Sequence, residues 1–154
     1  MISRTAEYAL RAIVYLGNEE GRPQTAAQIS TATRAPASYL SKVMQQLCEQ
    51  GIVGSQRGLH GGFRIRQPLT ELTILEVINA IDPILRIREC PLGNKAHGKN
   101  LCPLHRRMDE TLAHAEESFR GITIDSLLEQ PRRGRRCRFP TSCKNRGPSC
   151  PTTP

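Results

Sequence analysis

Four side chains that commonly bind transition metals lie within sixteen residues of this 154-residue chain. The segment ECPLGNKAHGKNLCPLH contains Cys90, His97, Cys102 and His105, and six, four and two residues separate its successive members. Thiolate and imidazole are the ligand types of iron–sulfur clusters and of zinc sites. The spacing therefore predicts a metal or cluster site within residues 90–105, with unligated thiols as the alternative.

The chain contains six cysteines in all. We expect no membrane association, because no apolar run is long enough to span a bilayer. The start, MISRTAEYAL, lacks the apolar stretch and cleavage site of a secretory signal. A cytoplasmic location with reduced thiols is the resulting expectation, and there cysteines indicate metal or redox chemistry more than a disulfide framework. Cys48 is the exception, since it lies beside an apolar helix face and is expected to be a small core residue.

The formal net charge of +8 is unevenly distributed along the chain. Residues 1–68 contain eight basic and four acidic side chains, and residues 69–130 contain seven basic and ten acidic ones. Residues 131–154 contain seven Lys or Arg and no acidic side chain. Positive charge on the N-terminal part favours phosphate binding. The last segment is rich in Pro, Arg, Gly and Ser, so we expect a basic disordered tail. We expect its three cysteines to react with oxidants or to have no role, and ligation is the alternative: Cys137, Cys143 and Cys150.

The N-terminal half has the pattern of a winged helix-turn-helix. Helical periodicity predicts helices at 3–17, 25–33 and 36–50, with Thr25 and Gln28 as a capping box. The short interval between the second and third helices is typical of a helix-turn-helix. Strand-like residues on both sides of a glycine-rich tip then predict a two-stranded wing over 52–66.

A second capping box, Thr73 with Glu76, opens a helix that ends before Pro83. A long helix follows at 103–120, with one apolar stripe consisting of Leu104, Met108, Leu112, Ala115 and Phe119. Such a stripe favours pairing with a second copy of the chain; the alternative is that it packs on its own winged domain. Thr123 is expected to cap a last short helix.

The predicted fold class is thus mostly α with a small β wing. We divide the chain into a winged helix-turn-helix DNA-binding domain (1–82), a ligand or sensor loop (83–102), a dimerisation helix with a C-terminal helix (103–130) and the tail (131–154).

Candidate DNA-binding residues lie on the third helix and on the wing. Ser38, Ser41 and Lys42 are expected to face outward near the start of the helix, where hydroxyl and ammonium groups suit base edges and phosphates. Arg57 and Arg64 flank the wing tip, and arginines of this kind often enter a minor groove. The alternative for the wing is a merely solvated basic ribbon.

Four segments together carry a family resemblance: TAEYALRAIVYL, PASYLSKVMQQLCEQGIV, RGLHGGFRI and TILEVINAID. They resemble the IscR/NsrR family of winged-helix bacterial transcription regulators, many of which sense through an iron–sulfur cluster. The resemblance covers roughly residues 1–130. It implies a non-enzymatic homodimer that binds a palindromic operator on double-stranded DNA and carries a cluster loop before its long dimerisation helix.

The resemblance also implies a ligand set for this loop. In the IscR branch the loop supplies three cysteines and a histidine three residues after the last of them. Cys90 and Cys102 match the first and last cysteines, and His105 matches the histidine. The middle cysteine is missing, because its place falls at Ala96, beside His97.

The NsrR branch takes an acidic ligand from the first helix of the other subunit, and Glu7 stands at the corresponding place. The resemblance therefore implies a repressor that senses redox state, nitric oxide or iron–sulfur status through a [2Fe–2S] cluster with mixed ligands. The same regulator with zinc, or with no metal, remains an alternative. A small zinc metalloenzyme is disfavoured, because no H-E-x-x-H motif or comparable acid–base pair is present.

Overall fold

The structure is a computed structural model, and it describes residues 2–58, 61–91 and 101–129. The helices and strands of these ranges are α1 Arg4–Asn18, α2 Ala26–Thr33, α3 Ala37–Glu49, β1 Val53–Gln56, β2 Gly62–Ile65, α4 Ile74–Ile81, α5 Pro103–Arg120 and α6 Ile124–Glu129. Helices dominate, and β1 and β2 form a two-stranded antiparallel sheet. This architecture agrees with the predicted class. Across the described ranges, no helix combines the length and apolarity needed to cross a membrane.

Side-chain caps explain why several helices begin where they do. The Thr25 hydroxyl accepts from the Gln28 N–H at 3.3 Å, and the Gln28 side chain accepts from the Thr25 N–H at 2.8 Å. Thr73 and Glu76 make the same reciprocal pair at the start of α4, so both predicted capping boxes are confirmed. The start of α3 differs slightly from the prediction, since Pro36 precedes the first helical turn instead of lying in it.

One apolar core joins the first four helices to the last one. Ile13, Ile29, Leu40 and Val77 contribute fully buried side chains from α1, α2, α3 and α4. Ile124 of α6 is fully buried in the same core. The C-terminal helix therefore packs on the winged unit instead of extending away from it.

Backbone hydrogen bonds hold the start of α6 against the winged unit. The Ile74 N–H donates to the Ile122 carbonyl at 3.0 Å, and the Ile124 N–H donates to the Leu72 carbonyl at 2.8 Å. α6 also approaches α1 closely at Gly17. A β-carbon at this position would lie 2.9 Å from the Leu128 side chain, so the glycine permits the close contact. The C-terminal end of α5 is thus anchored to the winged unit, while the domain limits at residues 82, 102 and 130 stay predictions.

The wing is tied to α1 through a buried glutamine. Gln24 exchanges two backbone hydrogen bonds with Phe63, at 3.0 and 2.8 Å. Its buried side chain accepts from the Tyr15 hydroxyl at 3.0 Å and donates to Glu19 at 3.2 Å. Buried polar groups that are fully hydrogen-bonded in this way favour a single geometry. Gln24 therefore sets where the wing lies relative to the first helix.

We predict that Gly62→Ala lowers the free energy of unfolding by about 1–3 kcal/mol, the usual cost of overpacking. A β-carbon at Gly62 would lie 2.6 Å from the Gln24 carbonyl oxygen, so the backbone bridge to the wing would have to shift. Gly121→Ala is the matched control, because a β-carbon there meets nothing closer than 3.6 Å. Denaturant unfolding of both variants measures the difference, and equal stabilities would show that the wing bridge tolerates the shift.

Candidate metal centre and nucleic-acid interface

The start of α5 brings two of the predicted ligands together. Cys102 precedes the helix with extended backbone angles, and Pro103 occupies the first helical turn, where it needs no N–H partner. His105 follows three residues after Cys102, a spacing that places both side chains on one face. The Cys102 Sγ lies 3.2 Å from the His105 Nδ1.

Cys90 reaches the same imidazole from the preceding segment. Its Sγ lies 3.9 Å from the His105 Nδ1, so two thiols flank one ring nitrogen. A sulfur and a nitrogen bound to one tetrahedral metal are roughly 3.5 Å apart, given typical bond lengths. The two observed separations lie on either side of that value, and thiolate and imidazole are donor types of iron–sulfur clusters and of zinc sites.

This trio is a partial donor set. Among residues 2–58, 61–91 and 101–129, no group of three or more His, Cys, Asp or Glu side chains is arranged so that it could hold a metal ion, and this includes Cys90, Cys102 and His105. His97, the predicted substitute for the missing cysteine, lies outside the described residues, as do Cys137, Cys143 and Cys150. The structure thus brings together Cys90, Cys102 and His105.

Glu7 has a different partner. It lies in the first turn of α1 and forms an ion pair with Arg11 of the same helix. Both side chains are about half exposed, and exposed pairs at this spacing contribute only about 0.3–0.5 kcal/mol. Ligation by Glu7 would therefore require a weak ion pair to open.

A feature that the sequence analysis did not single out lies beside the trio. The Arg86 Nε and Nη2 donate to the two carboxylate oxygens of Asp109 at 2.6 and 2.5 Å, and its Nη1 donates to Glu116 at 3.3 Å. The Ile87 backbone N–H also donates to Asp109, at 2.9 Å. Three donors from the segment before Cys90 thus converge on one carboxylate of α5.

The charges of this cluster support one another. The hydrogen bonds from the Arg86 guanidinium hold the pKa of Asp109 below its ordinary value, and the Ile87 N–H acts in the same direction. Hydrogen bonding to Asp109 raises the pKa of Arg86 above its ordinary value. Both groups are therefore charged throughout the neutral pH range.

One sequence signal for this cluster existed. Asp109 follows His105 by four residues and Cys102 by seven, which places it on the helix face of the ligands. Its partner Arg86 lies 23 residues away along the chain, and no local pattern connects the two.

The predicted DNA-contacting residues of α3 lie on its solvent side. Ser38, Ser41 and Lys42 are exposed, whereas Leu40 and Val43 between them are fully buried. Burial of one face against α1 and α2 therefore directs the other face outward. The helix is the third element of the winged unit and matches the predicted recognition helix in place and exposure.

The two wing arginines are also exposed. Among the ion pairs within the described ranges, none involves Lys42, Arg57 or Arg64. These cations are therefore available to phosphates.

Tyr39 is an exposed aromatic residue that the sequence analysis missed. Its side chain is 53% exposed and meets Tyr8 of α1 edge to face, with ring centroids 6.2 Å apart. The Arg11 guanidinium lies 5.9 Å from the Tyr8 ring centre and donates to the Thr33 carbonyl at 3.3 Å. The ring contact joins the start of α3 to α1, and the Arg11 hydrogen bond joins the end of α2 to α1.

Comparison with known proteins places these features in a family context. The Rrf2 family profile, described as an iron-dependent transcriptional regulator, matches residues 2–130. A chain of Aquifex aeolicus named as an HTH-type transcriptional regulator is 28% identical over 131 residues, which are 83% of this chain and 91% of that one. A regulator similarly named in Mycobacterium tuberculosis is 33% identical over 95 residues, 60% of this chain and 59% of its own.

Solved structures agree on the fold. IscR of T. potens superposes with a TM-score of 0.68 at 19% identity, covering 83% of this chain and 85% of that one. CymR, described as the global cysteine regulator of B. subtilis, gives a TM-score of 0.67 at 21% identity and covers 82% and 95%. At these identities the similarity shows the winged-helix fold alone, and it confirms that part of the sequence prediction.

Proposed function

Because the chain belongs to the Rrf2 family of iron-dependent transcriptional regulators, we propose that it is a homodimeric repressor that senses through a [2Fe–2S] cluster. Transcription regulation, DNA binding and the absence of an enzymatic role follow from family membership. The proposal adds the cluster, the dimer, a palindromic operator and a cytoplasmic site of action. The sensed signal is the redox state, nitric oxide or the iron–sulfur status of the cell.

The observation that carries the cluster proposal is the convergence of Cys90 and Cys102 on the His105 Nδ1. Cysteine thiolates are the usual cluster ligands, and replacing one by imidazole raises the reduction potential. A bound cluster would supply one-electron redox chemistry. His97, or Glu7 of a second copy, would complete the ligand set. Zinc is the second candidate, because two thiolates with imidazole also match its preferred donors.

We predict that Cys90→Ala and Cys102→Ala each abolish cofactor binding, since thiolates are the strongest donors of this set. His105→Ala, His97→Ala and Glu7→Ala should follow in decreasing order of effect. Protein purified without oxygen is assayed for iron, sulfide, zinc and visible absorption. Cys48→Ala is the matched control, because that half-buried thiol lies on α3.

A coloured protein with iron and sulfide supports the cluster, and a colourless one with one zinc per chain supports the second candidate. Full cofactor content in either cysteine variant of the loop would refute the site.

DNA binding is proposed to use the exposed side of α3 together with the wing. Ser38, Ser41 and Lys42 would contact the major groove, where hydroxyl and ammonium groups meet base edges and phosphates. The wing tip would approach the neighbouring minor groove, whose negative potential attracts arginine. The exposure and the lack of acidic partners described above support this arrangement.

We predict that Arg57→Ala weakens operator binding by about 1–3 kcal/mol if the side chain enters a groove. Arg107→Ala is the control, because Arg107 is a largely exposed arginine of α5, away from the wing. Fluorescence anisotropy with operator and with unrelated duplex, over a range of salt, separates groove recognition from phosphate contact. Unchanged affinity in Arg57→Ala would show that this side chain is solvated and does not enter a groove.

The dimer proposal rests on the uneven burial of α5. No residue of this 18-residue helix is buried in the single chain. At its C-terminal end Phe119 packs against the chain's own core. This part of the stripe follows the alternative prediction, in which the stripe packs on its own winged domain. At its N-terminal end Leu104 and Met108 are 65% and 47% exposed. A second α5 from another copy would cover this exposed part of the stripe.

We predict that Met108→Glu shifts the protein from dimer to monomer, because a carboxylate would be placed within the apolar contact. His114→Glu is the control, since it adds the same side chain to an exposed position away from the stripe. Sedimentation velocity at micromolar concentration distinguishes the two forms. A wild-type chain that sediments as a monomer would contradict the dimer.

A further inference from the structure

The segment that leads into the ligand loop has no helix or strand, yet it is held firmly to α5. Residues 83–88 follow α4 without regular hydrogen bonding of their own. Arg86 and Ile87 nevertheless make three hydrogen bonds to the Asp109 carboxylate, all between 2.5 and 2.9 Å. The side chains of Arg86 and Asp109 are 30% and 18% exposed, so water competes only in part for this contact.

We infer that Asp109 is a positioning residue for the metal centre: it anchors the chain before Cys90 one helical turn from His105. The inference rests on the proposed ligand set and adds to it a residue that touches no metal. Its partner in this role is Arg86. We call the group of Arg86, Ile87 and Asp109 the clamp.

The residue spacing along α5 and along the segment before Cys90 explains why the clamp acts on Cys90. Asp109 lies four residues beyond His105, a rise of about 6 Å along the helix axis. Cys90 lies three residues beyond Ile87, and an extended chain of that length spans at most about 10–11 Å. With Ile87 fixed at Asp109, Cys90 can therefore reach the turn of α5 that carries His105. The observed Sγ to Nδ1 distance of 3.9 Å fits this geometry.

The clamp fixes direction as well as position. The bidentate contact sets the plane of the guanidinium, a geometry that a lysine could not reproduce. Glu116, two turns beyond Asp109, accepts a hydrogen bond from the Arg86 Nη1 at 3.3 Å. The Ile87 contact involves the main chain itself, so the carboxylate restrains the backbone and not only a side chain. The incoming segment is thus aligned along α5.

Preorganisation is the physical consequence. Both ends of the ligand loop are held before any metal binds. The clamp holds one end, and at the other Cys102 occupies the N-cap position of α5, where its carbonyl accepts from the Arg106 N–H. Holding both ends in place lowers the ordering cost of metal binding, and a smaller ordering cost gives tighter binding. Outer contacts that orient metal ligands typically change affinity by about 10–100-fold.

The test is a Co²⁺ titration of the reduced, metal-free full chain without oxygen, followed through the thiolate-to-cobalt absorption bands. Cys90→Ala serves as the blank, so that cobalt held by other thiols is subtracted. Asp109→Asn keeps an acceptor for the Ile87 N–H but loses the charge that pairs with Arg86. Asp109→Ala loses both, and Arg86→Gln removes the guanidinium.

We expect Asp109→Asn and Arg86→Gln to weaken Co²⁺ binding about tenfold, and Asp109→Ala to weaken it further. Glu110→Gln is the matched control, because it removes the neighbouring charge of α5, whose partner is the exposed Arg107. Its affinity should equal that of the wild type. Circular dichroism of the metal-free variants should show unchanged helix content, since the clamp lies outside the buried core.

Wild-type affinity in both Asp109→Ala and Arg86→Gln would overturn the inference and leave the proposed metal site intact. Weaker binding that appears only together with lost helix content would also overturn it, since the effect would then be structural. A wild-type chain that gives no cobalt bands above the Cys90→Ala blank would instead refute the ligand set itself, and with it the positioning role.

Discussion

Burial of Ile124 among the helices of the winged unit determines where the rest of the C-terminal half lies. This side chain is fully buried in the core that also holds Leu40 of α3. The backbone bonds around residues 72–74 and 122–124 hold the end of α5 next to the start of α4. Because a helix is stiff, anchoring one end determines the course of the other. The proposed ligands at its first turn are consequently placed by contacts at its last.

This arrangement gives the proposed sensor a mechanical connection to the proposed DNA-binding surface. α5 carries Cys102 and His105 at one end and joins the core beneath the recognition helix through α6 at the other. A change in ligation would act on the helix start and on the segment held by Asp109, and the shared core would receive any displacement of the helix. Packed elements of this kind can carry coupling between distant sites when they have two distinct arrangements that both sites bias.

Electrostatics divide the molecule in a complementary way. The exposed cations of the winged unit, Lys42, Arg57 and Arg64, have no acidic partner within the described ranges. In α5, by contrast, Asp109 and Glu116 are engaged by Arg86, and Glu110 by Arg107. Unpaired positive charge thus lies where the proposed DNA contact is. Two of these acidic side chains, Asp109 and Glu116, instead hold the segment before the ligand loop through Arg86.

Local sequence patterns were sufficient for much of the fold. Capping boxes at Thr25 and Thr73 depend on residues three positions apart, so they can be seen without the rest of the chain. The buried face of α3 follows from helical periodicity, and Leu40, Val43, Met44 and Leu47 are indeed all buried. Cys102 and His105 belong to the same class, because a proline-initiated helix places residues three apart on one face.

Contacts between distant segments were decided only by the tertiary structure. Arg86 and Asp109 are 23 residues apart, Gln24 and Phe63 are 39 apart, and neither pair leaves a periodic trace in the sequence. The apolar stripe of α5 shows the same limit: periodicity identified it, but Phe119 turned to the chain's own core while Leu104 and Met108 stayed exposed. Spacing along a helix determines which side chains share a face. What that face meets depends on how the whole chain closes around its core.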